Sequence, residues 1–475
     1  MSLGALLAFC LGLGILWAWC AGVGMNVGAG VIVPMVSTHK QGPRAGNKAL
    51  PAVLLADECD HTLEFLSGRY EEVYGSPLPD GSSEDIHASL PGRQPHLYNL
   101  GVRKGGTGSL VRVLTAAGVA LKNPGGSAET HFWSRLHRVL VHGNGEPSRA
   151  SDLGSQFLKH VETAHGTTWA AEASFNASVT PFDLYRSLFP PNDREVGSDG
   201  IASLGRASFY VDKSTENWCL PALPTLLRIV QPKARLTILL RDPVARAYSD
   251  AAFTARVQRR RAIELGGLQQ HEVTETAQAH LRRLGLFAES AGRGKDHTDD
   301  GGAEAWALPT WFHTLVEPAI AVLGGPGAPL SERRLGEACG SSPGSEEDLG
   351  LAFVLRGVYA PALERWARVW GPSAVLVLRT EDLSADPAGL VRRIATHTGV
   401  SPDSLDAALP GWTSRATTAA ATPFTHCSTD EACHAPPPPM HPTTHALLAA
   451  FYAGWNERLA VAAHNDRFLE WNRPM

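Results

Sequence analysis

None of the first 38 residues is Asp, Glu, Lys or Arg, and Lys40 is the first formally charged side chain. Leu3 to Val36 is apolar and glycine-rich, and about 20 apolar residues are enough to cross a bilayer. A water-exposed segment is excluded. A buried core helix, an uncleaved signal-anchor, or a signal peptide cut near small residues such as Ala18 or Ala21 remain. No basic residue precedes the run, whereas Lys40, Arg44 and Lys48 follow it. For an uncleaved anchor that polarity runs against a lumenal C-terminal domain. Residues 1–38 read as a secretory-pathway segment, either signal-anchor or signal peptide.

Other absences narrow the chemistry. The seven cysteines include no Cys-x-x-Cys pair, which argues against a structural zinc site, and no metal is expected. The formal net charge is -5, so nothing attracts the whole chain to nucleic acid or an anionic membrane surface. Any anion site has to be local. No internal repeat is visible, which excludes a solenoid. With 44% hydrophobic and 19% charged residues the chain can build a substantial core, and disorder is excluded. Asn176-Ala-Ser is a glycosylation sequon, usable in a secretory lumen.

Residues 39–95 are polar and turn-rich and read as stem and linker, with some packed helix around Leu54 to Leu66. Strand-like runs follow at His96–Leu100, Phe209–Val211, Leu236–Leu240 and Ala374–Leu378, each succeeded by a helical pattern. That alternation predicts an α/β fold, a parallel sheet flanked by helices, over residues 96–475. Residues 290–350 are rich in Gly, Asp, Ser and Pro and are expected to form a surface insertion. Pro442 to Ala462 has helical spacing.

Between the first strand and its helix lies Gly101-Val-Arg-Lys-Gly-Gly-Thr107. Glycines let the backbone approach a phosphate, and the N–H groups at a helix start bind anions. Arg103 and Lys104 add charge, and Thr107 adds a hydroxyl. A nucleoside-triphosphate loop needs its lysine directly before the Ser or Thr. Here Lys104 precedes the glycine pair. A second anion candidate is Arg241-Asp-Pro-Val-Ala-Arg-Ala-Tyr-Ser249, which follows a strand and opens a helix at Pro243. The fork of Arg241 suits a phosphate, and Ser249 lies two turns into the helix.

The first loop resembles the 5'-phosphosulfate loop of Golgi carbohydrate sulfotransferases, especially the heparan sulfate type. The resemblance runs from about His96 to Trp471, apart from the segment 290–350, and Gly357–Trp366 is closest to the chondroitin and dermatan branch. It implies a P-loop-like sulfotransferase fold and 3'-phosphoadenosine 5'-phosphosulfate (PAPS) as co-substrate. Arg103, Lys104, Gly105, Gly106 and Thr107 then hold the 5'-phosphate, with Lys104 as the catalytic cation. Arg241 and Ser249, eight residues apart as in the family, contact the 3'-phosphate, which separates PAPS from ATP.

Sulfuryl transfer to an alcohol needs a base and flanking cations. Glu129-Thr-His131-Phe resembles the family's Glu-x-His-Phe element, whose glutamate is the base. Glu129 takes that role, with His131 as its rival because imidazole titrates near neutral pH. Asp212-Lys213-Ser-Thr resembles the family's Glu-Lys-Ser/Thr segment and puts Lys213 beside the sulfuryl group, or in a helix-start salt bridge. Arg259–Arg261 and Arg282–Arg283 either hold an anionic saccharide or are solvated helix faces. The resemblance also implies a disulfide between Cys427 and Cys433. After Cys433 the chain has His434-Ala and four prolines, where the family has a basic, glycine-containing stretch touching the cofactor.

Together these imply a PAPS-dependent O-sulfotransferase of the Golgi lumen, a single-pass membrane protein through residues 1–38 if they are uncleaved and secreted if the leader is cleaved. Its acceptor is a carbohydrate, an anionic polysaccharide of glycosaminoglycan type. The rival readings are a non-catalytic glycan-binding protein on the same fold and a nucleotide kinase, which should carry the triphosphate-loop lysine.

Overall fold

The computed structural model describes residues 59–74, 78, 97–121, 129–142, 181–189, 209–266, 300–325, 328–331, 334–335, 346–421 and 437–473. All lie in one compact unit, Ala49–Met475. Residues 1–38, Asn176, Arg282–Arg283, Cys427 and Cys433 fall outside the described residues, as do the side chains of Arg259–Arg261. Among the described residues no helix is long and apolar enough to cross a membrane.

Among the described residues five strands form the sheet: β1 Leu97–Asn99, β2 Ala120–Leu121, β3 Phe209–Asp212, β4 Arg235–Leu240 and β5 Val375–Arg379. Their order is β2-β3-β1-β4-β5, and every pairing is parallel. The expected α/β fold with a parallel sheet flanked by helices is therefore the one the chain adopts. Four of the five strands fall on the predicted runs. The two-residue β2 was too short to show a period in the sequence.

The helices, in chain order, are α1 Cys59–Tyr74, α2 Thr107–Ala117, α3 Phe132–His142, α4 Pro181–Ser187, α5 Leu223–Val230, α6 Pro243–Gly266, α7 Asp300–Val322, α8 Glu346–Leu355, α9 Ala360–Trp370, α10 Thr380–Ala385, α11 Pro387–His397, α12 Pro402–Ala408, α13 Trp412–Ala421 and α14 Pro442–Ala462. Successive strand residues point to opposite faces, and both faces of this sheet are covered. Tyr98, Leu236, Ile238 and Leu240 enter a cluster with Phe132, Leu223 and Trp366. Leu97, Val211, Leu239 and Leu378 enter another with Leu110, Val113, Ile394 and Trp412. That double burial explains why β4 reads as an unbroken apolar run rather than an alternation.

The segment 290–350 departs from its expected place on the surface. Within it, α7 contributes Trp311, Phe312, Val316 and Ile320 to a third buried cluster, which also takes Phe353 from α8, Tyr248 from α6 and Phe451 from α14. The Gly- and Asp-rich residues of that segment read as loop, and their composition masked the apolar side chains between them. Trp366 and Tyr359, within the stretch Gly357–Trp366, are both buried.

Candidate active site

In open parallel sheets ligands bind beyond the carboxyl ends of the strands, where the strand order reverses. Here the chain leaves β1 toward β3 and β2 on one side, then returns to β4 and β5 on the other. The reversal is at β1. Its carboxyl end carries the Gly101–Thr107 loop, while Lys213 follows β3 and Arg241 follows β4, the two strands that flank β1. Topology therefore gathers three motifs that are far apart in the chain.

Backbone bonds continue past β1 into the loop, from Leu239 N–H to the Gly101 carbonyl and from Val102 N–H to the Leu239 carbonyl, each 3.0 Å. The chain then turns tightly. Lys104 and Gly106 both have left-handed backbones, with φ of 63° and 84°, which costs little for glycine and is uncommon for lysine. Gly105 between them is pressed onto the sheet: a Cβ there would stand 2.8 Å from the Leu239 carbonyl oxygen and 2.9 Å from that of Val102. No side chain caps the start of α2, so its first amides keep the anion-binding character of a helix N-terminus. Thr107, the first residue of α2, is buried.

The loop is held from the β4 and β5 side as well. Thr380 Oγ1 lies against the carbonyls of Gly105 and Leu240, and Arg241 Nη1 donates to the Lys104 carbonyl at 3.5 Å. Tyr359 Oη donates to the Arg241 carbonyl at 2.9 Å, steadying the residue after β4. Asp242 accepts from Val244 N–H at 2.9 Å and so caps α6 just ahead of Pro243. Ser249 lies partly exposed on α6.

The strongest link between the two predicted anion motifs was not foreseen. Arg103 Nε donates to Asp250 Oδ1 at 2.7 Å, and Asp250 is the residue after Ser249. Asp250 is fully buried and also pairs with Arg246 and Arg356, each at 3.3 Å. Burial alone would push its carboxyl up. The charges of Arg103, Arg356 and Arg246 outweigh that and hold it below the ordinary carboxylate range. The available signal was Arg246 and Asp250 standing four apart among the small apolar residues Val244, Ala247 and Ala251, a spacing that pairs charges on one helix face.

Lys104 carries its ammonium over the Phe253 ring, 4.2 Å from the centroid. Burial brings this lysine down to about 8, helped by the charges of Arg256, Arg103 and Arg241 and opposed by Asp250. On the β3 side, Lys213 Nζ is 2.6 Å from Glu129 Oε1, and His131 Nε2 is 3.7 Å from Glu129 Oε2. Glu129 and His131 from one predicted element and Lys213 from another thus form one cluster. The loops after β1 and β3 meet at a small recess lined by Val102, Arg103, Thr215, Glu216, Trp218 and Arg356. Among the described residues no group of three or more His, Cys, Asp or Glu is placed to hold a metal.

No protein-family model matches the chain, and no curated protein matches it. Among solved structures, a sulfotransferase from Alicyclobacillus acidocaldarius is similar at 19% identity and a TM-score of 0.39, covering 80% of this chain and 100% of that one. The α/β assignment rests on the strand order and pairing of the sheet itself.

Proposed function

We propose that the protein is a sulfotransferase that moves a sulfuryl group from PAPS to a hydroxyl of a carbohydrate, with an anionic polysaccharide as acceptor. The observation that carries this reading is the tie between the two anion motifs. Arg103 of the loop after β1 is paired to Asp250, the neighbour of Ser249, while Arg241 donates to the Lys104 carbonyl. A ligand with two separate phosphates fits such a pair of motifs better than a ligand with one phosphate chain.

The residues present suit that co-substrate. The pressed Gly105, the uncapped helix start and Lys104 would hold its 5'-phosphate, and Arg241 with Ser249 its 3'-phosphate. PAPS would supply the sulfuryl group and a phosphate leaving group. Glu129 accepts the proton of the attacking hydroxyl on a carboxylate oxygen, and Lys213, already 2.6 Å from that carboxylate, keeps it aimed. Lys104 and Lys213 balance the negative charge of the transferring group. His131, 3.7 Å from Glu129, borders the base and takes second place to it.

We place the domain in the Golgi lumen, attached through residues 1–38 if these are uncleaved. The apolar run supports that compartment, and so does a disulfide-bonded Cys219, because disulfides persist in oxidising lumens.

Calorimetry with 3'-phosphoadenosine 5'-phosphate (PAP) and ADP tests the co-substrate. PAP should bind and ADP poorly. Arg241→Ala should weaken PAP by about ten- to a hundredfold, the scale of a lost hydrogen bond to a charged group. A preference for ADP or ATP would point to a kinase, and binding of neither to a glycan-binding protein. In a transfer assay, Glu129→Gln should lower kcat by about 100-fold or more.

A further inference from the structure

The base and its lysine sit on two chain segments separated by more than eighty residues, and something has to hold them in register. Asp212, the last residue of β3, is 1% exposed. Three hydroxyls donate to its carboxylate: Tyr185 at 2.6 Å, Ser214 at 2.8 Å and Thr130 at 2.9 Å. Thr130 lies between Glu129 and His131. The backbone N–H of His131 also donates to Ser214 Oγ at 3.1 Å, and His131 has a left-handed backbone with φ 54°. Phe132, next in the chain, stacks on Tyr185 with ring centroids 4.4 Å apart. The turn that presents Glu129 is therefore tied at three successive residues to a network that centres on Asp212. Lys213 is the next residue of the strand end.

We infer that Asp212 is a positioning residue that sets the Glu129 carboxylate against Lys213, acting through Thr130 and Ser214. This role deepens the sulfotransferase reading and rests on it for the function of Glu129, while the positioning itself is a property of the protein alone. A strand end is the most rigid place available for such a hub. A carboxylate, with about four acceptor sites on its two oxygens, can hold all three hydroxyls at once, whereas the single amide oxygen of Asn accepts at most two. Burial holds this carboxyl above its ordinary value, and the hydroxyls of Tyr185, Ser214 and Thr130 and the charge of His131 offset only part of that rise. Asn in its place offers one acceptor oxygen, so at least one hydroxyl loses its partner.

The test is the acylation rate of individual lysines by acetic anhydride, followed by mass spectrometry on the whole chain. In the wild type the Lys213 ammonium is shielded, with a side chain 11% exposed and paired to Glu129. Asp212→Asn should raise the labelling of Lys213 about tenfold, the scale of one lost hydrogen bond to a charged group. Glu129→Gln should do the same. Lys104 labelling and PAP affinity should stay within about twofold of wild type, because no interaction of that loop is touched. Thr130→Val, which keeps the volume and removes the hydroxyl, should reproduce the effect, and Thr130→Ser should reverse it. Unchanged Lys213 labelling in Thr130→Val and Asp212→Asn would overturn the inference. So would a rise at Lys104 and Lys213 alike with loss of PAP binding, the mark of a merely structural role. If the wild type itself fails to bind PAP, the functional reading falls, while the Lys213 labelling still decides the positioning claim.

Discussion

Lys104 combines two properties that rarely occur together, a left-handed backbone and a partly buried ammonium seated over an aromatic ring. Its value of about 8, set first by burial, makes the site sensitive to pH. Below that value the ammonium is charged and attracts a phosphate; above it the amine is neutral and the attraction is lost. The affinity for PAP should therefore fall as pH rises through about 8 in a calorimetric series from about pH 7 to 9. Lys104→Arg should flatten the profile, because a guanidinium stays charged throughout. At the same scale, Gly105 has no substitute: even an alanine Cβ would collide with two carbonyl oxygens.

Helix α6 links two parts of the molecule. Its first turn follows Arg241, its second carries Arg246 and Ser249, and Asp250 then reaches back to Arg103 in the loop after β1. A buried carboxylate among three arginines is costly to disturb, since removing it leaves the buried Arg246 guanidinium without a countercharge. Asp250→Ala should destabilise the fold by about 3–5 kcal/mol in denaturant titration, as for a broken buried ion pair. The sign of the pH effect follows from Asp250 lying below the ordinary carboxylate range when folded. Its contribution is complete above the unfolded value and is lost as pH falls through the folded one.

At the scale of the whole molecule, the sheet and its two covering clusters are joined by a third cluster of α6, α7, α8 and α14. That cluster packs on the helix that bears Ser249 and Asp250, so it supports the site from behind. Phe312 is fully buried there. Phe312→Ala should cost about 3–5 kcal/mol, visible as a lowered thermal midpoint, whereas a residue of a surface insertion would shift it little.

Strand runs, the glycine-rich loop and the Arg241–Ser249 spacing were legible in the sequence because each is local: periodicity, turn chemistry and helix starts need only neighbouring residues. The same holds for α14, whose bounds match the spacing of Pro442 to Ala462. Gly-rich composition misled at 290–350, because burial of Trp311 and Phe312 depends on partners contributed by α6 and α14. The clamp of Arg103 by Asp250, the pairing of Lys213 with Glu129 and the hub at Asp212 join residues separated by about 80 to 150 positions. By itself the sequence determined which residue types stand at the ends of strands and the starts of helices. Only the tertiary structure decided which of them meet, because the strand order around β1 brings distant strand ends together and burial then demands a partner for each charge.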